Sequence, residues 1–274
     1  MGKIKNVPFR VFCYVIVFLF LFIYLFPLFF VANTSLKSAQ DYLLHPTALT
    51  STWSFGNYIT AWNKANFGAY IGNSILYTGV CTICSLLLSL LIAFPISRKY
   101  VPGAGFLYLL FLCGLFLPNG MIPTFQMVLN MGLYDTKIGY ILVMTGVNAT
   151  SVFFFTGYFK SIPRELDEAA ALDGCGYLRY VIRCIVPLAQ PAMVSMGMLS
   201  MIGVWNDIVS STIYLTSESN YNITRGLFVF TGQYSNDWTL TAAGLLVVAA
   251  PLILIYIFGQ RYIVDGVMAG GLKG

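Results

Sequence analysis

Apolar residues along the chain are gathered into six long runs, and shorter polar stretches separate these runs. The runs cover about residues 11–32, 70–95, 106–128, 138–159, 188–213 and 241–259. A helix needs about 20 consecutive apolar residues to cross a bilayer, and each run reaches or approaches that length. The pattern therefore predicts an all-α fold, a polytopic membrane helix bundle with six transmembrane helices.

The polar stretches divide the chain into four regions. Residues 1–32 hold a basic N-terminal arm and the first span, whose apolar run of 22 residues exceeds the roughly 7–15 residues of a signal-peptide core. We therefore expect this span to remain uncleaved. Residues 33–69 are polar and aromatic and are predicted to form an extracellular loop. Residues 70–259 form a helical core that includes a polar segment at 160–187, and residues 260–274 form a tail.

The third run is interrupted at two places, by Pro118-Asn119-Gly120 and by Pro123. Non-helical backbone at membrane depth is tolerated where it is buried in protein or lines a wet cavity. Asn119 and Gln126 are therefore candidates for a solute path. Alternatively, each side chain could simply bond to a neighbouring helix.

Composition and charge agree with a membrane protein and indicate its orientation. Only 9% of the 274 residues are charged, whereas a soluble domain carries about 25%. With six spans, eleven Lys and Arg residues fall on the side of both termini and the polar segment, and four fall on the other side. Because Lys and Arg are enriched in cytoplasmic loops, we expect the termini and the polar segment in the cytoplasm. The net charge of +5 does not indicate a nucleic-acid partner.

The polar segment at 160–187 has the signals of two short helices. Pro163 suits the first position of a helix, acidic residues follow it, and Gly174 suits the left-handed residue that closes a helix. We therefore predict a helix over 163–173 and a second helical segment over 177–186, stopped by Pro187. One face of the first helix carries small alanine side chains, so that this face could fit into a groove on another protein. That face holds Leu166, Ala169, Ala170 and Asp173.

The string E-A-A-A-L-D-G in this segment, followed by Pro187 thirteen residues after its glycine, resembles the EAA loop of ABC importer permeases. The fuller run P-R-E-L-D-E-A-A-A-L-D-G…I-V-P-L-A-Q-P looks like the sugar-importer branch, the maltose-type permeases. The ending D-G-V-M-A-G-G-L-K-G looks like the G-x-x-A-G-A-x-K-G ending common in sugar permeases. The resemblance covers spans two to six and the tail, and it implies the type I ABC importer permease fold.

The resemblance also implies contacts with a cytoplasmic ATPase. In the family, the EAA helix docks in a cleft of an ATPase subunit, and in part of the family the tail reaches between the ATPase subunits. The implied coupling residues are Arg164, Leu166, Glu168, Ala169, Ala170, Asp173 and Gly174. The implied tail contacts are Gly266, Ala269, Gly270 and Lys273, for which a frayed, unstructured end is the alternative.

No motif for chemistry on a bound cofactor is found. The sequence has no G-x-x-x-x-G-K-[ST] phosphate loop, no metal-binding cluster of His, Cys and carboxylates, and no Ser/His/Asp set. The six cysteines are scattered, and Cys81-x-x-Cys84 lies inside an apolar run. We therefore expect no catalytic residue, no metal and no cofactor on this chain, which would not be an enzyme. ATP would be bound by partner subunits.

Trp205-Asn206-Asp207 is a further candidate for the solute path, because Asp207 is the one carboxylate predicted inside a span. A charge near the bilayer centre costs about 2.5–3.5 kcal/mol on insertion scales and should face the bundle interior or water. The resembling family often has W-N-[DE] here. Trp205 would then stack on a sugar ring, while Asn206 and Asp207 bond its hydroxyls. In the alternative, Trp205 is an interfacial aromatic and Asp207 caps a helix.

Taken together, the resemblance implies a permease subunit of an ATP-driven, binding-protein-dependent importer of oligosaccharides in the bacterial plasma membrane. The implied partners are a second permease subunit, two ATPase subunits, an extracellular solute-binding protein, the sugar and membrane lipid. One alternative is an importer permease for peptides, phosphonates or metals, which the sugar-like tail disfavours. Another is a secondary transporter working alone, which should carry several intramembrane charges, yet only Asp207 is found.

Overall fold

The computed structural model describes residues 7–51, 53–117, 120–230 and 237–271, and within these ranges the chain is helical and contains no strand. The all-α prediction is thus confirmed. The α-helices are α1 (Val7–Ser35), α2 (Ala39–Leu44), α3 (Gly56–Lys64), α4 (Phe67–Arg98), α5 (Ala104–Gly114), α6 (Met121–Asn130), α7 (Lys137–Met144), α8 (Ala149–Ser161), α9 (Glu165–Leu172), α10 (Tyr177–Leu188), α11 (Gln190–Trp205), α12 (Val209–Tyr214), α13 (Ile223–Gly226) and α14 (Trp238–Gly271).

Three of the six predicted spans are continuous helices in the structure. These are α1, α4 and α14, each of which has a stretch long and apolar enough to cross a membrane. The fourth span is a bent pair, α7 and α8 at 47°. The fifth apolar run, 188–213, is divided between α11 and α12, and α11 is also bent by 76° from α10, which precedes this run. The third apolar run is divided between the short helices α5 and α6. The predicted count of six transmembrane helices is therefore not exactly reproduced, because described non-helical residues interrupt the third, fourth and fifth apolar runs.

The bend between α7 and α8 falls where the sequence analysis predicted one unbroken span. α7 ends at Met144, and Asn148 caps α8 by accepting a hydrogen bond from the Thr150 N–H at 2.9 Å. Asn at this position offers the backbone an alternative to continuing the helix. Hydropathy alone cannot detect such a break, because Gly146 and Val147 keep the run apolar.

The second helical segment does not stop at Pro187 as predicted. Residues Val181–Ile185 form a π-helical turn, in which the Val186 N–H donates to the Val181 carbonyl, and the helix continues to Leu188. A proline within an α-helix normally breaks the helix, because it cannot donate a hydrogen bond to the carbonyl four residues earlier. In the π-helical turn the backbone hydrogen bonds instead run to the carbonyl five residues earlier, so the α-helical bonding pattern has already changed before Pro187. The break occurs instead at Ala189, ahead of Pro191 in the first turn of α11.

By internal contacts the chain forms two units, of which the first comprises Met1–Gly68 and Gly226–Pro251. The region 33–69, which is predicted to form an extracellular loop, contains the short helices α2 and α3. Buried polar groups hold this region together. The Lys37 side chain is fully buried and its Nζ donates to the His45 carbonyl at 2.5 Å and to the Pro46 carbonyl at 3.1 Å. Asn57 Nδ2 bonds the Ser35 and Lys37 carbonyls at 2.8 and 2.7 Å.

The second unit comprises Ala69–Arg225 and Leu252–Gly274 and has two apolar cores. One core joins α4, α8, α10 and α11, and Phe94, Phe155, Phe159 and Ile185 are fully buried in it. The second core lies around Tyr77 of α4 and Tyr140 of α7, whose rings are 4.7 Å apart. Both cores fix the bent spans to the long helix α4.

Helix α12 is held at its C-terminal end by charged side chains. Arg225 donates to the Ser211 carbonyl at 2.7 Å, to the Thr212 carbonyl at 3.0 Å and to the Leu215 carbonyl, which satisfies acceptors that a helix end leaves free. Asp135 accepts from the Thr216 and Ser217 N–H groups at 2.8 and 2.9 Å. Burial alone would raise the pKa of Asp135, but these bonds and one from the Ser217 hydroxyl outweigh it and lower the pKa.

Candidate coupling helix and solute path

Helix α9 is a short helix closed by a glycine. It begins at Glu165, two residues after the predicted start at Pro163, and ends at Leu172. Gly174 has φ +67°, its N–H donates to the Ala171 carbonyl, and the Cys175 N–H donates to the Ala170 carbonyl. This bond pair is the Schellman closure, which needs a left-handed residue. The prediction of a left-handed Gly174 is confirmed.

The inner side of α9 is anchored through Asp167. Arg98, the last residue of α4, places its Nε 2.8 Å from Asp167 Oδ2 and its Nη2 3.3 Å from Oδ1. Tyr100 donates to Oδ2 at 3.0 Å, and Tyr180 of α10 donates to Oδ1. Four polar contacts from two other helices and a loop therefore converge on one carboxylate.

The Arg98 side chain is buried, and both of its terminal nitrogens donate hydrogen bonds. It is 2% exposed, and its Nη1 donates to the Ile162 carbonyl at 3.0 Å. A buried guanidinium is costly unless it is paired and hydrogen-bonded, so its position is tied to Asp167. Burial and the neighbouring Asp167 carboxylate raise the pKa of Tyr100, so the phenol remains a donor at neutral pH.

Sequence reasoning missed both members of this pair as functional residues. Asp167 was read only as an acid favoured by the helix dipole, and Arg98 only as a marker of the cytoplasmic side. The sequence offered no signal for the pair, because Arg at the cytoplasmic end of an apolar span is ordinary.

The outward side of α9 differs from the predicted docking face. Ala170 is half-buried and packs against the core of α4, α8, α10 and α11, so it faces this chain. Leu172, which the predicted face did not include, is 90% exposed, and Leu166 is 44% exposed. The other predicted coupling residues, Arg164, Glu168, Ala169, Asp173 and Gly174, are exposed. Leu172, Ala169 and Glu168 are therefore more accessible in this chain than Ala170.

The segment after α9 connects the helix to the membrane core. Tyr180, Val181 and Ile185 of α10 are buried, and the Phe94 ring lies 6.0 Å from Tyr180 and 5.4 Å from Phe159. These ring contacts pack α8 and α10 against α4.

Trp205, Asn206 and Asp207 lie at the break between α11 and α12. Asp207 accepts from Tyr140 Oη at 2.9 Å, the Ser210 hydroxyl at 2.9 Å and the Ser211 N–H at 2.8 Å. This arrangement caps α12, as in the capping alternative. Trp205 is 3% exposed and Asn206 is exposed. Of these three residues Asn206 is the most exposed, and Asp207 is partly buried.

The remaining candidates are dispersed. Gln126 is an exposed residue of α6. Asn119 and Lys273 lie outside the described residues. Gly266, Ala269 and Gly270 fall within the helical backbone of α14, where the sequence analysis allowed a frayed end. No group of three or more His, Cys, Asp or Glu that could hold a metal occurs among the residues that the structure describes.

Comparison with known proteins gives matches along nearly the whole chain. A family model described as the binding-protein-dependent transport system inner membrane component matches residues 1–268. The chain is 34% identical over 265 residues to the inner membrane ABC transporter permease protein YcjP of Escherichia coli K12, covering 93% of this chain and 94% of that protein. It is 30% identical over 252 residues to the diacetylchitobiose uptake system permease protein NgcG of Streptomyces coelicolor, covering 90% of this chain and 83% of that protein.

A solved structure shares the fold. A chain of a bacterial ABC transporter involved in the import of the acidic polysaccharide alginate superposes with a TM-score of 0.85 at 23% identity, over 96% of this chain and 99% of that one. The resemblance read from the EAA string is thereby confirmed. The chain belongs to the family of binding-protein-dependent transport system inner membrane components, which are multi-pass ABC transporter permeases.

Proposed function

We propose that this chain is one permease subunit of an ATP-driven importer for oligosaccharides or related sugars. The family match supports the transport role, and the diacetylchitobiose named for the Streptomyces coelicolor relative supports the class of solute. The strings P-L-A-Q-P and D-G-V-M-A-G-G-L-K-G agree with a sugar permease.

In this proposal the other functions belong to partner proteins. A second permease subunit completes the translocation pathway, and an extracellular solute-binding protein delivers the sugar. Two cytoplasmic ATPase subunits bind the ATP, so this chain needs no cofactor and no catalytic residue of its own. The N-terminus, the C-terminus and α9 are on the cytoplasmic side, as the distribution of Lys and Arg favours.

The observation that carries the proposal is the contrast between the two sides of α9. Leu172, Ala169 and Glu168 are exposed on the outward side, while Asp167 on the inner side is bonded to α4 and α10. Leu172, at 90% exposure, offers an apolar contact to a partner on this side. When the ATPase cleft closes around α9, the Asp167–Arg98 contact transmits the displacement to the spans.

The test is sugar uptake into vesicles that hold the permease with its co-purified partners. We expect uptake of a labelled oligosaccharide to require ATP inside the vesicle together with the ATPase, and to be unaffected by an ionophore. A lone secondary transporter would behave in the opposite way, because its driving force is the ion gradient. Uptake that persists without ATP and collapses with the ionophore contradicts the proposal.

A further inference from the structure

A polar cavity of about 400 Å³ lies in the second unit, beside the predicted path residues but not formed by them. Its lining residues come from the start of α6, from the break between α7 and α8, and from α12, and the first two of these places are interruptions of helical structure. Non-helical backbone within a membrane protein is tolerated where it lines a wet cavity. The lining groups used below are Met121, Thr124, Met144, Asn148, Ser210 and Tyr214.

The lining combines hydroxyl and amide groups with apolar side chains. Thr124, Ser210 and Tyr214 supply hydroxyls and Asn148 an amide, while Met121 and Met144 supply apolar surface. The Ser210 hydroxyl donates to Asp207 Oδ1 at 2.9 Å, which leaves its lone pairs free to accept a hydrogen bond from a ligand. A sugar ring has the matching surface, with hydroxyls at its edge and C–H groups on its faces.

The described lining of the cavity offers no ionic partner for a charged ligand. Among the lining residues that the structure describes, none is Lys, Arg, His, Asp or Glu. The nearest carboxylate, Asp207, already accepts from Tyr140, Ser210 and Ser211. Bringing a carboxylate-bearing sugar into such a site would leave its charge unpaired at a large free-energy cost.

We propose that this cavity is a subsite for one uncharged sugar ring of the transported solute. The inference rests on the proposed function and deepens it, because it assigns both a place and a charge class to the cargo. Its volume is near the lower end of small-molecule sites, roughly 300–1,000 Å³, which suits one ring rather than a whole oligosaccharide. The shared fold with an importer of an acidic polysaccharide does not decide the charge, because that likeness extends only to the fold.

The experiment uses the assembled transporter with small changes to the lining. Tyr214→Phe removes one hydroxyl, whose described bond to the Met121 carbonyl is long at 3.5 Å, and Thr124→Val removes another with little change in shape. Each variant is expected to raise the uptake KM about two- to tenfold, the effect of losing one hydrogen bond to a ligand. Met144→Trp, which fills the cavity, is expected to lower uptake more than tenfold when uptake is normalised to the amount of assembled transporter.

Tyr134→Phe is the matched control, because Tyr134 packs against Phe125 and does not line the cavity. The probes are labelled maltose, melibiose and diacetylchitobiose, with an alginate disaccharide as the acidic member. We expect one or more neutral probes, and not the acidic one, to be imported. The subsite is overturned if the lining variants have the same uptake KM as the Tyr134→Phe control, or if the acidic probe is imported as well as the neutral ones. Either result leaves the proposed ATP-driven sugar uptake intact. Absence of any ATP-driven sugar uptake by the unaltered protein overturns the proposed function and the subsite together.

Discussion

Replacing Asp167 with alanine is expected to lower sugar uptake about tenfold and to reduce the thermal stability of the purified protein. The change removes the acceptor shared by Arg98, Tyr100 and Tyr180, and it leaves the buried Arg98 guanidinium without a counter-ion. Breaking a buried ion pair costs about 3–5 kcal/mol. If the coupling between α9 and the spans loses only about 1.4 kcal/mol of free energy, sugar uptake is expected to fall tenfold. Uptake and thermal unfolding in detergent are the measurements.

Two further variants separate a positioning role from a purely structural one. Glu165→Ala removes an exposed carboxylate from the same turn of α9 and is expected to change uptake less than twofold. The double variant Arg98→Met with Asp167→Ala replaces the ion pair with apolar groups, which is often neutral for stability. We expect it to recover thermal stability but not uptake. Recovery of both would show that the pair holds the fold together and does not transmit motion.

Gly174→Val is expected to lower uptake about tenfold without preventing membrane insertion. Gly174 has φ +67°, where a side chain costs about 1–2 kcal/mol and a β-branched one is a rare outlier. An added Cβ would meet nothing within 4 Å, so the effect comes from the backbone alone. The strain opens the Schellman closure and changes the direction in which the chain leaves α9. Vesicle uptake, normalised to the amount of inserted protein, is the measurement.

Gly176→Val is the matched control for that substitution. Gly176 has φ −65° and ψ 152°, values that any residue adopts, and an added Cβ there also meets nothing within 4 Å. Uptake by this variant should stay within about twofold of the unaltered protein, since unstrained surface substitutions cost about 0.5 kcal/mol or less. Equal losses in the two valine variants would contradict the role given to the left-handed residue.

The sequence was sufficient to locate the spans and the coupling helix. The apolar run at 70–95 corresponds to α4 at Phe67–Arg98, and the charged segment contains α9 and its glycine closure. These features depend on residues close together in the chain, whose apolar periodicity and cap chemistry can be read directly. The breaks at 145–148 and 206–208 were missed, because hydropathy averages across short interruptions.

The contacts that define the candidate site could not be obtained in the same way. Arg98 and Asp167 are 69 positions apart, and neither residue type reveals which partner it will meet. Helical spacing placed Ala170 on a docking face, but packing against the core turned it inward and left Leu172 outward. The polar cavity likewise gathers residues from three distant segments. In each case tertiary packing determines which residues come into contact, and the local sequence pattern does not contain that information.

The central claim is that the outward side of α9 is covered by a cytoplasmic ATPase in the assembled transporter. The most direct measurement is photo-crosslinking in membrane vesicles with benzoylphenylalanine placed at Leu172, which is 90% exposed. Placement at Leu43 of α2, which is 79% exposed in the region expected outside the cell, is the control. We expect a crosslink to the nucleotide-binding subunit from position 172 and none from position 43. No ATPase adduct from position 172, or labelling of that position by a reagent confined to the extracellular side, would contradict the account.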